Sequence, residues 1–172
     1  PEGAKAHLAI VGKGITFDTG GISIKPAANM HEMKGDMGGA AAVLGAVSAI
    51  ARLGLPVAVT GYVCAAENMP SGSAIKPGDV LHTYSGKTIE VLNTDAEGRL
   101  ILADALSYVT TNHDLEYALD FATLTGAVLI ALGHHTTGIM GTDEDLISRV
   151  KASSEKTGEK VWEFPLWEEY CE

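Results

Sequence analysis

The sequence predicts an α/β sandwich built on a largely parallel sheet. Three observations carry this. Apolar, β-branched runs recur along the chain, segments with helical spacing separate several of them, and polar loops follow the strands directly. Ligands of such sheets sit beyond the carboxyl ends of the strands, so those loops are where a site is expected.

The elements follow in order. Residues 7–12 (HLAIVG) read as a short buried strand running into a glycine-rich loop over 13–25. Residues 36–53 are Ala-rich and apolar all round, which predicts a buried helix closed by Gly54 and Pro56. Residues 57–66 form a β-branched strand that ends in a loop over 67–78. Residues 80–84 and 88–92 flank Ser85-Gly86-Lys87 as a hairpin. A helix over 99–111, a buried strand over 117–123, a short strand over 138–141 and a solvated helix over 143–156 complete the reading. The final VWEFPLWEEYCE begins an amphipathic segment and stops inside it, as a fragment would.

The 172 residues, 46% apolar and 20% charged, suffice for one domain with its own core. A formal charge of −10 opposes a nucleic-acid or anionic-membrane surface. Cys64 and Cys171 form no C-x-x-C, so reduced thiols and a cytoplasmic location are expected. No stretch reads as the ~18 apolar residues of a membrane span, and no signal segment opens the chain.

Two clusters carry chemistry. VGKGITFDTGGISIK, followed by MKGDMGG, sets Lys13, Asp18, Lys25 and Asp36 in or beside glycine-rich turns. NTDAEGR sets Asp95, Glu97 and Arg99 at alternate positions, which an extended segment would send to one face. Carboxylates forced together repel unless a cation lies between them, and a metal ion is the strongest such partner. Plainer readings exist: Asp36 would cap the following helix, and NTDAEGR could be a turn holding an Arg–Glu pair.

The competing motifs fail on spacing. Gly12-Lys13-Gly14 does not complete G-x-G-x-x-G, and the glycine a P-loop needs upstream of Gly86-Lys87-Thr88 falls at Leu81. His31-Glu32 lacks the second histidine of H-E-x-x-H. His134 and His135 would point to opposite faces of a strand, and His7, His82 and His113 have no partners at ligand spacing. Ser23, Ser71 and Ser73 lack a G-x-S-x-G context. Trp162 and Trp167 read as core or interface packing.

NTDAEGR resembles the signature of the leucine aminopeptidase family, which includes cytosolic leucyl aminopeptidase and bacterial aminopeptidase A. VGKGITFDTGGISIK with MKGDMGGAAAV is similar to that family's other metal-site region, and FATLTGA looks like its substrate-pocket strand. The resemblance implies a three-layer, zinc-exopeptidase-like sandwich with a mixed, largely parallel sheet and helices on both faces. It places residues 1–172 in a single catalytic domain truncated at both ends. It implies two divalent ions, manganese or zinc with magnesium or cobalt also suited to such oxygen-rich sites. Lys13, Asp18, Asp36 and Glu97 match the ligands of the tight site. Asp18, Asp95 and Glu97 match those of the exchangeable site, so Asp18 and Glu97 would bridge. Lys25 and Arg99 match the catalytic residues, as oxyanion donor and as holder of a bicarbonate ion at a helix start. Met33, Asn93, Thr123, Leu124 and Gly126 resemble pocket residues. The implied activity is removal of N-terminal residues, leucine and other neutral ones, from peptides by a homo-hexamer. The alternatives are an inactive metal-binding fragment and a non-enzymatic DNA-binding relative, the latter opposed by the acidic balance.

Overall fold

In a computed structural model, residues 7–171 are described, without the side chain of Cys171, so the reading of that thiol lies outside the described residues. They form two units, one ending at Leu124 and one beginning at Thr125. The first contains β1 (His7–Asp18), α1 (Gly38–Leu53), β2 (Ala58–Asn68), β3 (Val80–His82), β4 (Thr88–Glu90), α2 (Glu97–Asn112) and β5 (Tyr117–Phe121). The second contains α3 (Ala127–Leu132), β6 (Thr137–Ile139), α4 (Glu144–Thr157) and β7 (Val161–Glu163).

β1 is the central strand of a parallel sheet of order β2-β1-β5. The pleat sends alternate side chains to opposite faces. Ala9 and Val11 pack with Leu102 and Val109 of α2, joined by Tyr62, Cys64 and Ala105. On the other face lie Gly12 and Gly14, against Ala40 of α1. Helices therefore cover both faces of a parallel sheet, as expected.

β1 runs six residues beyond the expected strand, through Lys13 to Asp18, so both residues stand on the strand rather than in a loop. Gly12 and Gly14 look like turn residues in the sequence. Here they are the places where α1 meets the strand with no side chain between. A Cβ on Gly12 would lie 2.6 Å from the Ala40 Cα, and one on Gly39 would lie 1.9 Å from the Phe121 carbonyl oxygen.

α1 is not buried all round. Only Gly39, Ala40 and Val43 are buried, while Leu44 and Leu53 are 61% and 72% exposed. Small side chains let the helix approach closely but give it only a narrow contact stripe. It ends as expected, with Gly54 left-handed at φ 62°. The 3-10 turn Met30–Gly35 and α1 form one segment, Met30–Leu53, which by length and composition could cross a membrane. It is not an uninterrupted apolar stretch, since it carries Glu32, Lys34, Asp36 and Arg52, and it lays its small-residue face on the sheet and holds the buried Asp36.

The hairpin β3–β4 pairs as expected, with Gly86 at φ 81° in its turn. Cys64 is a free, half-buried thiol whose burial pushes its pKa up, keeping it protonated. In the second unit β6 and β7 pair in parallel, and Asp143 caps α4 by accepting the Leu146 N–H at 2.7 Å. Trp162 and Trp167 are 62% and 60% exposed, so neither is core. Trp167 stacks on Tyr170 at 5.7 Å.

The close approach of α1 gives a paired prediction. Gly39→Ala is expected to cost about 3 kcal/mol or more, because backbone must move to admit the methyl. Gly45→Ala meets nothing within 4 Å in the same helix and is expected to stabilise by about 0.5–1 kcal/mol. Urea unfolding of both variants measures this, and equal effects would contradict the packing described.

Candidate metal centre

Strand ends and two loops supply the site. Lys13 and Asp18 stand on β1, and Asn68 ends β2 opposite Asp18 in the register. Asp36 precedes α1, and Asp95 and Glu97 lie in the turn that becomes α2. Lys13, Asp18 and Asp36 are 3%, 2% and 9% exposed, which in a carboxylate-rich place demands compensation.

Asp36 does not cap α1: Met37 is the N-cap and no side chain caps the helix. Its carboxylate turns toward β1 and β5 instead. Oδ1 accepts the Thr123 hydroxyl at 2.6 Å, and Oδ2 lies 2.7 Å from Lys13 Nζ. Lys13 also meets Glu97 Oε1 at 3.0 Å and donates to the Thr123 carbonyl at 3.0 Å. Room for this amine comes from Gly98, where a Cβ would lie 2.9 Å from Nζ.

NTDAEGR is not extended. Asn93 accepts the Asp95 N–H through its side chain at 2.9 Å, capping a 3-10 turn over Thr94–Ala96 that runs into α2 at Glu97. The three charged residues therefore diverge. Asp95 Oδ1 lies 2.6 Å from Lys25 Nζ, Glu97 faces Lys13 and Asn68, and Arg99 is exposed. Gly20, at φ 86°, lets the loop after β1 pass close to Asp95.

Lys25 also holds Asp18, with Nζ 2.8 Å from Oδ2. Burial would raise the Asp18 pKa, but the Lys25 ammonium, the Gly20 N–H and the Asn68 amide outweigh it and hold the carboxyl below its ordinary 3.8. Burial likewise disfavours charge on Lys25, and the Asp18 and Asp95 carboxylates overcome it, pushing the amine above its ordinary 10.5.

Oxygens of Asp18, Asp36 and Glu97 come within 4.8 Å of one another. Asp36 Oδ2 and Asp95 Oδ1 are buried and accept no well-formed hydrogen bond, although a lysine nitrogen lies within ion-pair distance of each. Carboxylate oxygens that converge and keep free lone pairs suit a hard or borderline divalent cation. The residues present fit such an ion.

Of the other residues singled out in the sequence, Met33 is half-buried and its carbonyl accepts the Asp36 N–H at 3.3 Å. Leu124 is 42% exposed at the end of the first unit. Gly126 belongs to the second unit, as the N-cap of α3. Four contributors escaped the sequence reading. Asn68 joins Asp18 to Glu97, the Thr94 hydroxyl donates to the Gly20 carbonyl at 2.6 Å, Thr19 anchors its loop to Asn68, and Gly98 admits Lys13. The strand-end rule could have singled out Asn68.

Residues 1–172 match the family model described as the cytosol aminopeptidase family, catalytic domain. Over 173 aligned residues the chain is 58% identical to a probable cytosol aminopeptidase of Chlorobium limicola and 58% to one of Chlorobaculum parvum. It is 54% identical over 171 residues to one of Nitrosomonas eutropha. It aligns over 100%, 100% and 99% of its own length and spans 34% of each of these relatives. Among solved structures it resembles the bottromycin maturation enzyme BotP at TM-score 0.90 and 43% identity, covering 98% of this chain and 36% of that one. A structure of the same enzyme in complex with Mn gives TM-score 0.92 and 45% identity over 95% of this chain and 36% of that one.

The Asp18–Lys25 pair predicts a pH signature in chelator. Asp18, lowered from 3.8, contributes stability that is present above that value and lost as pH falls below it. Lys25, raised from 10.5, contributes stability that is complete below that value and lost as pH rises past it. The stability difference between wild type and Lys25→Met is therefore expected to be level in between and to shrink at both ends. Urea unfolding across pH measures it, and a constant difference would show that the pair carries no linkage.

Proposed function

Since this chain belongs to the cytosol aminopeptidase family, we propose that the protein is a two-metal aminopeptidase that removes leucine and other neutral residues from peptide N-termini. One observation carries the reading. Asp18, Asp36 and Glu97 converge within 4.8 Å, and Asp36 Oδ2 is buried with no hydrogen bond.

Lys13, Asp18, Asp36 and Glu97 would hold one ion, and Asp18, Asp95 and Glu97 the other. When bound, such ions supply Lewis acidity and lower the pKa of water. The solved relative in complex with Mn supports manganese as a suitable occupant. The chain's own residues do the rest. Lys25, 24% exposed and tied to Asp18 and Asp95, is positioned to donate to the oxyanion that forms at the scissile carbonyl. Arg99, exposed in the first turn of α2, offers a guanidinium to a bicarbonate ion beside free helix N–H groups. Met33, Asn93, Thr123 and Leu124 would contact the substrate, as the family resemblance implies. A cytoplasmic homo-oligomer, a hexamer by resemblance, completes the reading.

Hydrolysis of leucine p-nitroanilide with added Mn²⁺ is the direct test, and no turnover by the protein at any Mn²⁺ concentration would reject it. Lys25→Ala is expected to lower kcat about 10²–10³-fold at full metal content, as loss of an oxyanion donor does. Glu97→Gln is expected to lower occupancy at both sites together, and two ions per chain with normal turnover would remove it from the ligand set. Binding through the Lys13 nitrogen releases a proton, so affinity should weaken as pH falls, and Lys13→Met should flatten that dependence where Lys25→Met does not. Calorimetric metal titrations at several pH values compare the two.

A further inference from the structure

We propose that Asn68 is a positioning residue that sets the orientation of the Asp18 and Glu97 carboxylates at the metal centre. The inference rests on the metal-centre reading and concerns a residue outside that ligand set. Asn68 Nδ2 lies 2.9 Å from Asp18 Oδ1, 3.0 Å from the Thr94 carbonyl and 3.2 Å from Glu97 Oε2. All three are acceptors, so the amide nitrogen and not its oxygen must face them. Its two hydrogens are shared among three acceptors, which ties β1 and the turn into α2 to the end of β2.

The carboxylates are divided in the same way. Asp18 gives Oδ1 to Asn68 and turns Oδ2 to Lys25 at 2.8 Å. Glu97 gives Oε2 to Asn68 and turns Oε1 to Lys13 at 3.0 Å. In each, the oxygen away from Asn68 is the one that faces a cation. A lysine in place of Asn68 would neutralise the charge that attracts a dication. The amide orients both groups and leaves that charge intact.

The backbone carbonyl of Asn68 has a separate task. It accepts the Thr19 N–H at 2.9 Å and the Thr19 hydroxyl at 2.8 Å, tying down the loop after β1. Thr19→Val removes the hydroxyl bond, keeps the backbone N–H bond and leaves the side-chain amide in place, which separates positioning from loop anchoring. Calorimetry with Mn²⁺, and melting in EDTA, are compared for wild type, Asn68→Leu and Thr19→Val. Asn68→Leu is expected to weaken Mn²⁺ about 10–100-fold, as loss of a group orienting a ligand does. Thr19→Val is expected to lower the melting temperature with Mn²⁺ affinity close to wild type. If Asn68→Leu does not fold, Asn68→Ala gives the same comparison. Wild-type Mn²⁺ affinity in the Asn68 variant would overturn the proposal, as would loss of affinity in both variants in step with melting temperature. Failure of the wild type itself to take up Mn²⁺ would instead reject the metal-centre reading.

Discussion

Four carboxylates drawn to one end of a parallel sheet repel one another, and the first unit is organised around answering that repulsion. Lys13 answers Asp36 and Glu97, Lys25 answers Asp18 and Asp95, and Asn68 steadies one carboxylate of each group. No single element could supply these partners. β1 provides Lys13 and Asp18, the loop after it provides Lys25, and the approaches to α1 and α2 bring the other acids. The two sequence clusters are thus halves of one electrostatic unit, and the strand ends are where they meet.

That unit depends on backbone proximity. Lys13 can reach Asp36 and Thr123 at once because α1 lies directly on β1 and on the end of β5, with Gly12 and Gly39 at the contact. A bulkier seam would lift the helix, and with it Asp36, away from the lysine. Gly98 plays the matching part on the other side, where α2 begins beside the Lys13 amine. Glycine serves here to remove side-chain volume, which is a different use from the left-handed turns at Gly20 and Gly54.

Much of this was legible in the sequence, because alternation, helical spacing and turn residues are local signals. The order of strands and helices in the first unit and the β3–β4 hairpin follow from them, whereas α3 and β7 of the second unit, only six and three residues long, were not read. The end of β1 did not, since Gly12 and Gly14 read as turn formers when only their immediate neighbours are considered. Spacing of two also failed to distinguish an extended NTDAEGR from a helix start, a choice made by the Asn93 cap. The outer face of α1 misled for a related reason, because an Ala-rich face is as compatible with exposure as with burial. Asn68 was missed because its partners are 50, 26 and 29 residues away, which left its place at a strand end as the one local signal that could have marked it.

The far edge of β2, which meets no strand among the described residues, has a physical consequence for this stretch of chain. β2 runs for 11 residues and pairs only with β1 among the described residues, so its far edge presents a row of backbone donors and acceptors. Such an edge is a template for another strand. The net charge of −10 opposes the approach of a second copy, but only over the Debye length, about 10 Å at 0.1 M salt. Within the described residues, charge and strand edge thus act against each other, and added salt weakens the first without altering the second.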